Sequence, residues 1–443
     1  MITRIFKTAL CLFLQLVLFI PTQGQNTHWT VQKCIEYALQ KNIQIQKTLL
    51  TTEANKVNFE ATKASRFPIV DGSARQSFGW ADEYTAGTNT YSFNGSNNTS
   101  FAVSSSVTIY AGLRLQKSIK QSEINYKAGE FDSETMKEAI SLNIMDVFLQ
   151  ILYAEELVKN DQNQVVLTSK QLDLADERLK LGVISKSDYL QVKSQMAIEK
   201  QNIATAQGLL TTNKVTLMQL MELPITNDFE IEQPDLTNLI NKSRNSLPDS
   251  VYRIALAIKP QIKGAALRSE SVSMGIGIAN AAYMPRISLD AGVSTGFNSM
   301  NSSSYSSQFT HGFNPSIGLS LSIPIYHNQQ ISSTVEIAKI NSRNAIFDEQ
   351  NTKNQLRKSI ETACTNVFTA QNEFEASKEQ LQAAQESYSV ASEKYTQEIM
   401  NAVDLLIQKT NTNIAESNYL QAKYNLIFSY KTLDFYLGIP FNF

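Results

Sequence analysis

Histidine, cysteine and net charge are all scarce in this chain of 443 residues. The histidines are His28, His311 and His327, far apart and without the spacing of zinc ligands. The cysteines are Cys11, Cys34 and Cys364, too few for a disulfide framework; Cys34 and Cys364 fall in helical patterns and read as packing residues. A formal net charge of -2 offers no basic surface for nucleic acid. There is no glycine-rich phosphate loop and no nucleophile elbow, so no enzyme is legible and no cofactor is called for. The methionines are scattered and form no cluster of soft ligands for copper or silver. Beyond the N-terminus, no apolar run approaches the ~18 residues of a spanning helix. An exported chain without such a helix is soluble or a β-barrel.

Charged residues make up only 18%, and Asn, Gln, Ser and Thr fill the deficit. A polar, weakly charged surface suits a water-filled lumen or a subunit interface. The first residues read as a secretory signal. Arg4 and Lys7 precede a short apolar run from Ala9 to Ile20, and Thr22-Gln23-Gly24 places small residues for cleavage before Gln25. A membrane anchor is the alternative, but the run is short for a span. Cys11 follows Leu10 rather than a small residue and does not read as a lipid anchor.

What is present is one unit written twice, at an offset of about 216 residues. Ala38-Leu39 recurs as Ala255-Leu256, Gln44-Ile45 as Gln261-Ile262, Pro68 as Pro285 and Gly79 as Gly296. Further on, Tyr110 recurs as Tyr326, Glu177 as Glu393, Asp188 as Asp404 and Pro224 as Pro440. The expected organisation is a signal over 1–24, a first repeat over 25–224, a linker over 225–250 and a second repeat over 251–443. Each repeat reads helix, strand, strand, long helix, turn, long helix. The first helices are expected over Val31–Arg66 and Val251–Met284, ended by Pro68 and Pro285.

The expected strands alternate. Phe101, Val103, Val107 and Ile109 interleave with Ala102, Ser104, Ser106 and Thr108. Ile317, Leu319, Leu321, Ile323 and Ile325 interleave with Ser316, Gly318, Ser320 and Ser322. Ile69–Trp80 and Ile287–Phe297 are their partners, all near the roughly 9–11 residues of a transmembrane strand. One apolar face and one small, polar face is the pattern of an outer-membrane barrel, with a soluble sandwich as the alternative. Trp80, Phe297 and Tyr110 suit an aromatic girdle at the strand ends. The segments Ala81–Ser100 and Asn298–Gly312 read as extracellular loops.

The long helices carry a ladder with alternating steps of four and three. In the second repeat it runs Leu356, Ile360, Ala363, Val367, Ala370, Phe374, Ser377, Leu381, Ala384, Tyr388, Ala391 and Tyr395. In the first it runs Ile140, Ile144, Val147, Ile151, Ala154, Val158, Asp161, Val165, Thr168, Leu172, Ala175 and Leu179. Such a period means coiled-coil packing, and a helix from about Gln116 to Leu181 would be about 100 Å long. Four strands cannot close a barrel, and open edges are not tolerated in lipid, so several chains must share one barrel.

The chain resembles the TolC family of outer-membrane efflux proteins, the outer membrane factors. The resemblance rests on the helix starts Ala38-Leu39…Asn42 and Ala255-Leu256…Pro260, and on the strand exits Ile109-Tyr110-Ala111-Gly112 and Ile323-Pro324-Ile325-Tyr326. It rests further on Arg178-Leu179-Lys180-Leu181-Gly182 before Asp188, and on the terminal Leu437-Gly438-Ile439-Pro440. The doubled order of these marks is more specific than any one of them. The resemblance implies a homotrimer with a 12-stranded barrel in outer-membrane lipid and a long periplasmic α-helical tunnel. It implies a periplasmic adaptor protein and an inner-membrane transporter of the RND or ABC type, in an efflux pump or a type I secretion system. It also implies a gate at the helix turns, around Gly182–Ser187 and Glu398–Ala402. Asp188 and Asp404 follow those turns and would form rings of carboxylates, with helix capping as the alternative. A second acidic ring would need an aspartate where Ile407 stands. Tyr395 and Asp188 match polar tip positions that link neighbouring coils in the closed state, although the basic partner expected near Met400 is missing. A trimeric coiled-coil adhesin or stalk is the competing reading, and it would carry a single block of strands.

Overall fold

The computed structural model describes residues 28–85, 87, 89–236, 247–397 and 399–441. The expected signal over 1–24, part of the expected linker, and Glu398 lie outside the described residues. The first half runs α1 (Val31–Lys41), α2 (Ile43–Ala64), β1 (Ile69–Thr85), β2 (Thr90–Ala111), α3 (Arg114–Lys180) and α4 (Lys186–Leu220). The second runs α5 (Pro248–Ile258), α6 (Pro260–Asn280), β3 (Arg286–Asn298), α7 (Tyr305–His311), β4 (Asn314–Ser322), α8 (Gln330–Thr396) and α9 (Ala402–Leu437).

The backbone repeats as the sequence does. Gly112 and Leu113 hold left-handed φ where β2 turns into α3, and Asn328 and Gln329 do so before α8. Glu222 and Gly438, at the ends of α4 and α9, form another such pair.

Each helix expected to be continuous before the strands is broken once. Asn42 ends α1 and caps α2: its Oδ1 accepts from the backbone N–H of Gln44 (2.9 Å) and Ile45 (3.2 Å). Its Nδ2 donates to the Leu220 carbonyl at 2.9 Å, pinning the break to the end of α4. The equivalent break falls at Lys259, held extended (ψ 124°) by the proline that follows it. Lys259 is buried, with its ammonium 3.3 Å from the centre of the Phe435 ring and 3.1 Å from Glu138.

Four antiparallel strands form one sheet in the order β1-β2-β3-β4. The expected loop Ala81–Ser100 is mostly strand, because β1 and β2 stay paired out to Thr85↔Thr90. Tyr91 and Phe93 supply β-forming residues inside what reads as a loop composition. Trp80 is therefore internal to β1 rather than at its end. The other expected loop contains α7, whose N-cap Ser304 accepts from the Ser307 N–H. The last strand ends at Ser322, short of Ile323–Tyr326, since Pro324 has no N–H to continue a ladder.

The long helices α3 and α8 are each 67 residues, about 100 Å. In α8 the buried residues from Leu356 onward are all ladder positions. In α3 the ladder is joined by Met145, Phe148, Leu149 and Leu152, because this stretch is covered on a second side. There Val31, Cys34 and Ala38 of α1, Leu217 and Met218 of α4, Phe229, Ile231 and Ile427 close a core around Phe148. Burial pushes the Cys34 thiol up to about 12, which leaves it an inert packing group.

Candidate channel wall and gate

Strand register fixes which residues share a face. Val103 pairs with Val293, Phe101 with Thr295, Leu289 with Leu319 and Ile287 with Leu321, all on one apolar face. The opposite face carries Ser104, Ser106, Ser288, Ser294 and Ser320, together with the charged residues Asp71, Arg75, Arg286 and Asp290. Two of these charges are held by hydroxyl groups of the same face. Asp290 accepts from Ser288 at 3.2 Å and Ser320 at 3.3 Å, and Arg286 donates to Thr108 at 3.1 Å. An apolar face toward lipid and a polar face toward water is the division a membrane barrel needs. The apolar face is capped by aromatic rings. α7 leans on it, with Phe309 5.4 Å from Phe101 and Tyr305 4.9 Å from Phe297.

At the far end, α3–α4 and α8–α9 form two antiparallel hairpins. The α3–α4 turn closes with Val183 N–H bonded to Arg178 O (2.9 Å) and Gly182 at φ +73°. The other turn repeats the longer bond, from Ile399 to Lys394 O (2.9 Å). Asp188 sits at the third position of α4 in a capping box: its N–H donates to Ser185 Oγ (3.1 Å) and its carboxylate accepts from that hydroxyl (2.9 Å). Asp404 has the same place in α9. Its N–H donates to Asn401 Oδ1 (2.9 Å), and its carboxylate accepts from Asn401 Nδ2 (3.0 Å). Asp188 is half-buried and Asp404 exposed. Both aspartates cap helices within one chain.

Tyr395 is buried with Ala391, Ala402 and Leu405. The Arg178 guanidinium stands 5.0 Å from its ring centre. Arg178 lies on α3 and Tyr395 on α8, so this contact joins the two hairpins. Further polar ties join the hairpins. Gln171 donates to Tyr388 Oη (2.9 Å), Gln164 to Glu416 (3.2 Å) and Lys423 to Glu156 (2.8 Å). The central tie is Lys409–Glu199 at 3.0 Å, with side chains 1% and 2% exposed. Thr168 bridges them, accepting from Lys409 and donating to Glu199. Burial pushes the Lys409 ammonium below its ordinary pKa, against the pull of Glu199. The sequence reading missed this set; Lys409, Glu416 and Lys423, seven residues apart on α9, were its visible signal.

Asp161 replaces an apolar ladder residue, and its carboxyl is raised above the usual range, first by burial and then by the charges of Glu199 and Glu416. A raised folded pKa means the ionised form destabilises at neutral pH, and that penalty fades as pH falls through the folded value. Asp161→Asn is therefore expected to raise the melting temperature at pH 7 and to lose its advantage in acid, as pH-dependent thermal melts would read.

A sheet with one lipid face, one water face and two open edges, carried on two 100 Å-scale helical hairpins, defines a subunit of an outer-membrane channel with a periplasmic extension. The profile of the outer membrane efflux protein family matches residues 34–222 and 251–439, and the chain belongs to that family. The toxin and drug export protein A of Aggregatibacter actinomycetemcomitans is 23% identical over 401 residues, covering 90% of this chain and 83% of that one. The cation efflux system protein CusC of Escherichia coli K12 is 24% identical over 377 residues, covering 80% and 77%. Among solved structures, CusC superposes with a TM-score of 0.81 at 19% identity, over 95% of this chain and 96% of that one. The Campylobacter jejuni CmeC outer membrane channel gives 0.78 at 19% identity, over 94% and 86%. The fold is TolC-like, and the protein is an outer-membrane channel subunit of a tripartite efflux or secretion system, reaching into the periplasm. The alternative of a stalk with one strand block fails, because both halves contribute a strand pair to the sheet.

Proposed function

We propose that three copies of the chain close one twelve-stranded barrel and one helical tunnel, through which exported solutes pass passively to the exterior. The observation that carries this is the sheet itself: β1 and β4 are its open edges, and only a neighbouring chain can pair them within lipid. A second stripe supports it. Ile43, Leu50 and Val57 lie seven residues apart on α2 and are exposed in the single chain. A periplasmic adaptor would dock on the helical hairpins and link the tunnel to an inner-membrane transporter of the RND or ABC type. The cargo would be drugs or other small exported solutes. The water face mixes acidic and basic residues, which suits a wall that sorts weakly by charge.

The gate would lie at the two hairpin turns. There Asp404, repeated in each copy, would ring the opening, with Asp188 and Tyr395 behind it. Asp404→Asn keeps a polar cap and removes the charge. Single-channel recording in planar bilayers should then show weaker block by divalent cations and lower cation preference. Unchanged block would remove Asp404 from the gate.

A further inference from the structure

The β1–β2 hairpin outgrows the sheet. The last β2–β3 pair is Asn98↔Asn298, whereas β1 and β2 continue for eight more pairs, from Phe78↔Asn97 to Thr85↔Thr90. At ~3.3 Å per residue this two-stranded ribbon extends about 26 Å beyond its neighbours. Its faces differ. Phe78, Trp80 and Phe93 share one face and are 61, 67 and 70% exposed. The other face carries Ser77, Gly79, Asn94 and Ser96.

Register makes the aromatic face continuous with the lipid-facing side of the sheet, since Phe93 lies an even number of residues from Phe101 and Val103 along β2. The rings nevertheless lie past the end of the neighbouring strand. The last apolar residue of β3 on this face is Phe297, which pairs with Thr99, and Thr99 pairs with Gln76. Phe78, Trp80 and Phe93 lie two, four and six residues past that level, about 7 to 20 Å further along the ribbon. The same face also carries Gln76, Asn97 and Asp82. Trp80 sits against the partner strand: a Cβ added to Gly95 would meet its Nε1 at 3.0 Å, so Gly95 leaves the room the indole occupies.

We propose that this ribbon face binds the saccharide headgroup of the outer-leaflet glycolipid that surrounds the barrel. A pyranose ring presents a face of C–H groups, slightly positive, which packs on the negative face of an aromatic ring. Its hydroxyls need polar partners, which Asn97 beside Phe78, Asp82 beside Phe93 and Gln76 just below the rings supply; Gln76 donates to Asn97 and accepts from Thr99, so a sugar hydroxyl would join this chain of amides. A phospholipid interface would be met at Phe297 and α7, at the rim, rather than two or more residues above it. The proposal rests on the orientation in which the helices point into the periplasm and the ribbon points outward.

The test uses the full-length protein in phospholipid nanodiscs, with soluble core oligosaccharide cleaved from lipopolysaccharide as the probe. The chain has two tryptophans, so Trp80→Phe identifies the ribbon's share of the emission. The expected result is a saturable blue shift on adding oligosaccharide, lost in Trp80→Phe and weakened at least about tenfold in Phe78→Ala/Phe93→Ala. No saturable shift overturns the proposal. So does Trp80 emission already blue-shifted and protected from iodide in nanodiscs without sugar, which would assign the ribbon to the lipid interface. Gly87→Cys at the ribbon turn, where a Cβ meets open space, checks the orientation separately. Labelling by an impermeant maleimide on intact cells keeps the orientation whatever the binding result. Absence of labelling overturns the orientation and the proposal together.

Discussion

Lys409→Met is expected to destabilise the helical tunnel by about 3–5 kcal/mol, because it leaves Glu199 charged, buried and without its partner. Size is not the issue, as methionine fills much the same space. The loss arises because Glu199 keeps only Thr168 and Gln195 as donors in a site closed to water. The double variant Lys409→Met/Glu199→Met should recover most of the loss, since an apolar pair can replace a buried ion pair at little cost. Denaturant unfolding in detergent, followed by helical circular dichroism, measures both. A single variant as stable as the parent would show that the pair is hydrated and not a buried tie. The tie joins α4 of one hairpin to α9 of the other. Any movement of the hairpins against each other must break or rehydrate it, which makes it an obstacle to opening as well as a source of stability.

Leu319→Lys is expected to abolish the assembled channel, whereas Ser320→Lys, one residue on, should leave it intact. Side chains alternate across β4, so the two changes fall on opposite faces of the sheet. A lysine on the lipid face costs about 2–4 kcal/mol near the bilayer centre, in every copy of the chain. On the water face it stays solvated, and at position 320 it stands near the Asp290 carboxylate. The amount of protein recovered from outer membranes reads the difference. Equal recovery of the two variants would remove the assignment of faces on which the channel wall rests.

Much of this architecture is legible in the sequence because it is periodic. The ladder from Leu356 to Tyr395 needs only a 3.5-residue repeat to be read, and the α8 residues buried from Leu356 onward fall on it. Strand alternation at Ile317–Leu321 and the doubled turn signals are equally local. What escapes is set by pairing across long separations. The ribbon at 78–97 has a loop's composition and becomes strand only because each half hydrogen-bonds the other. The break at Asn42 depends on a carbonyl 178 residues away. At the tip, the sequence singles out Asp188, Asp404 and Tyr395. The two aspartates cap their own helices, and the ties between hairpins come from Arg178, Glu199 and Lys409, whose partners lie on another hairpin and far along the chain.

The central claim is that four strands per chain are a fraction of one shared barrel. Its most direct test is the native mass of the protein extracted from outer membranes in mild detergent, corrected for bound detergent. Three times the mass of the mature chain is the predicted result. A monomeric mass would leave β1 and β4 as open edges in lipid and contradict the account.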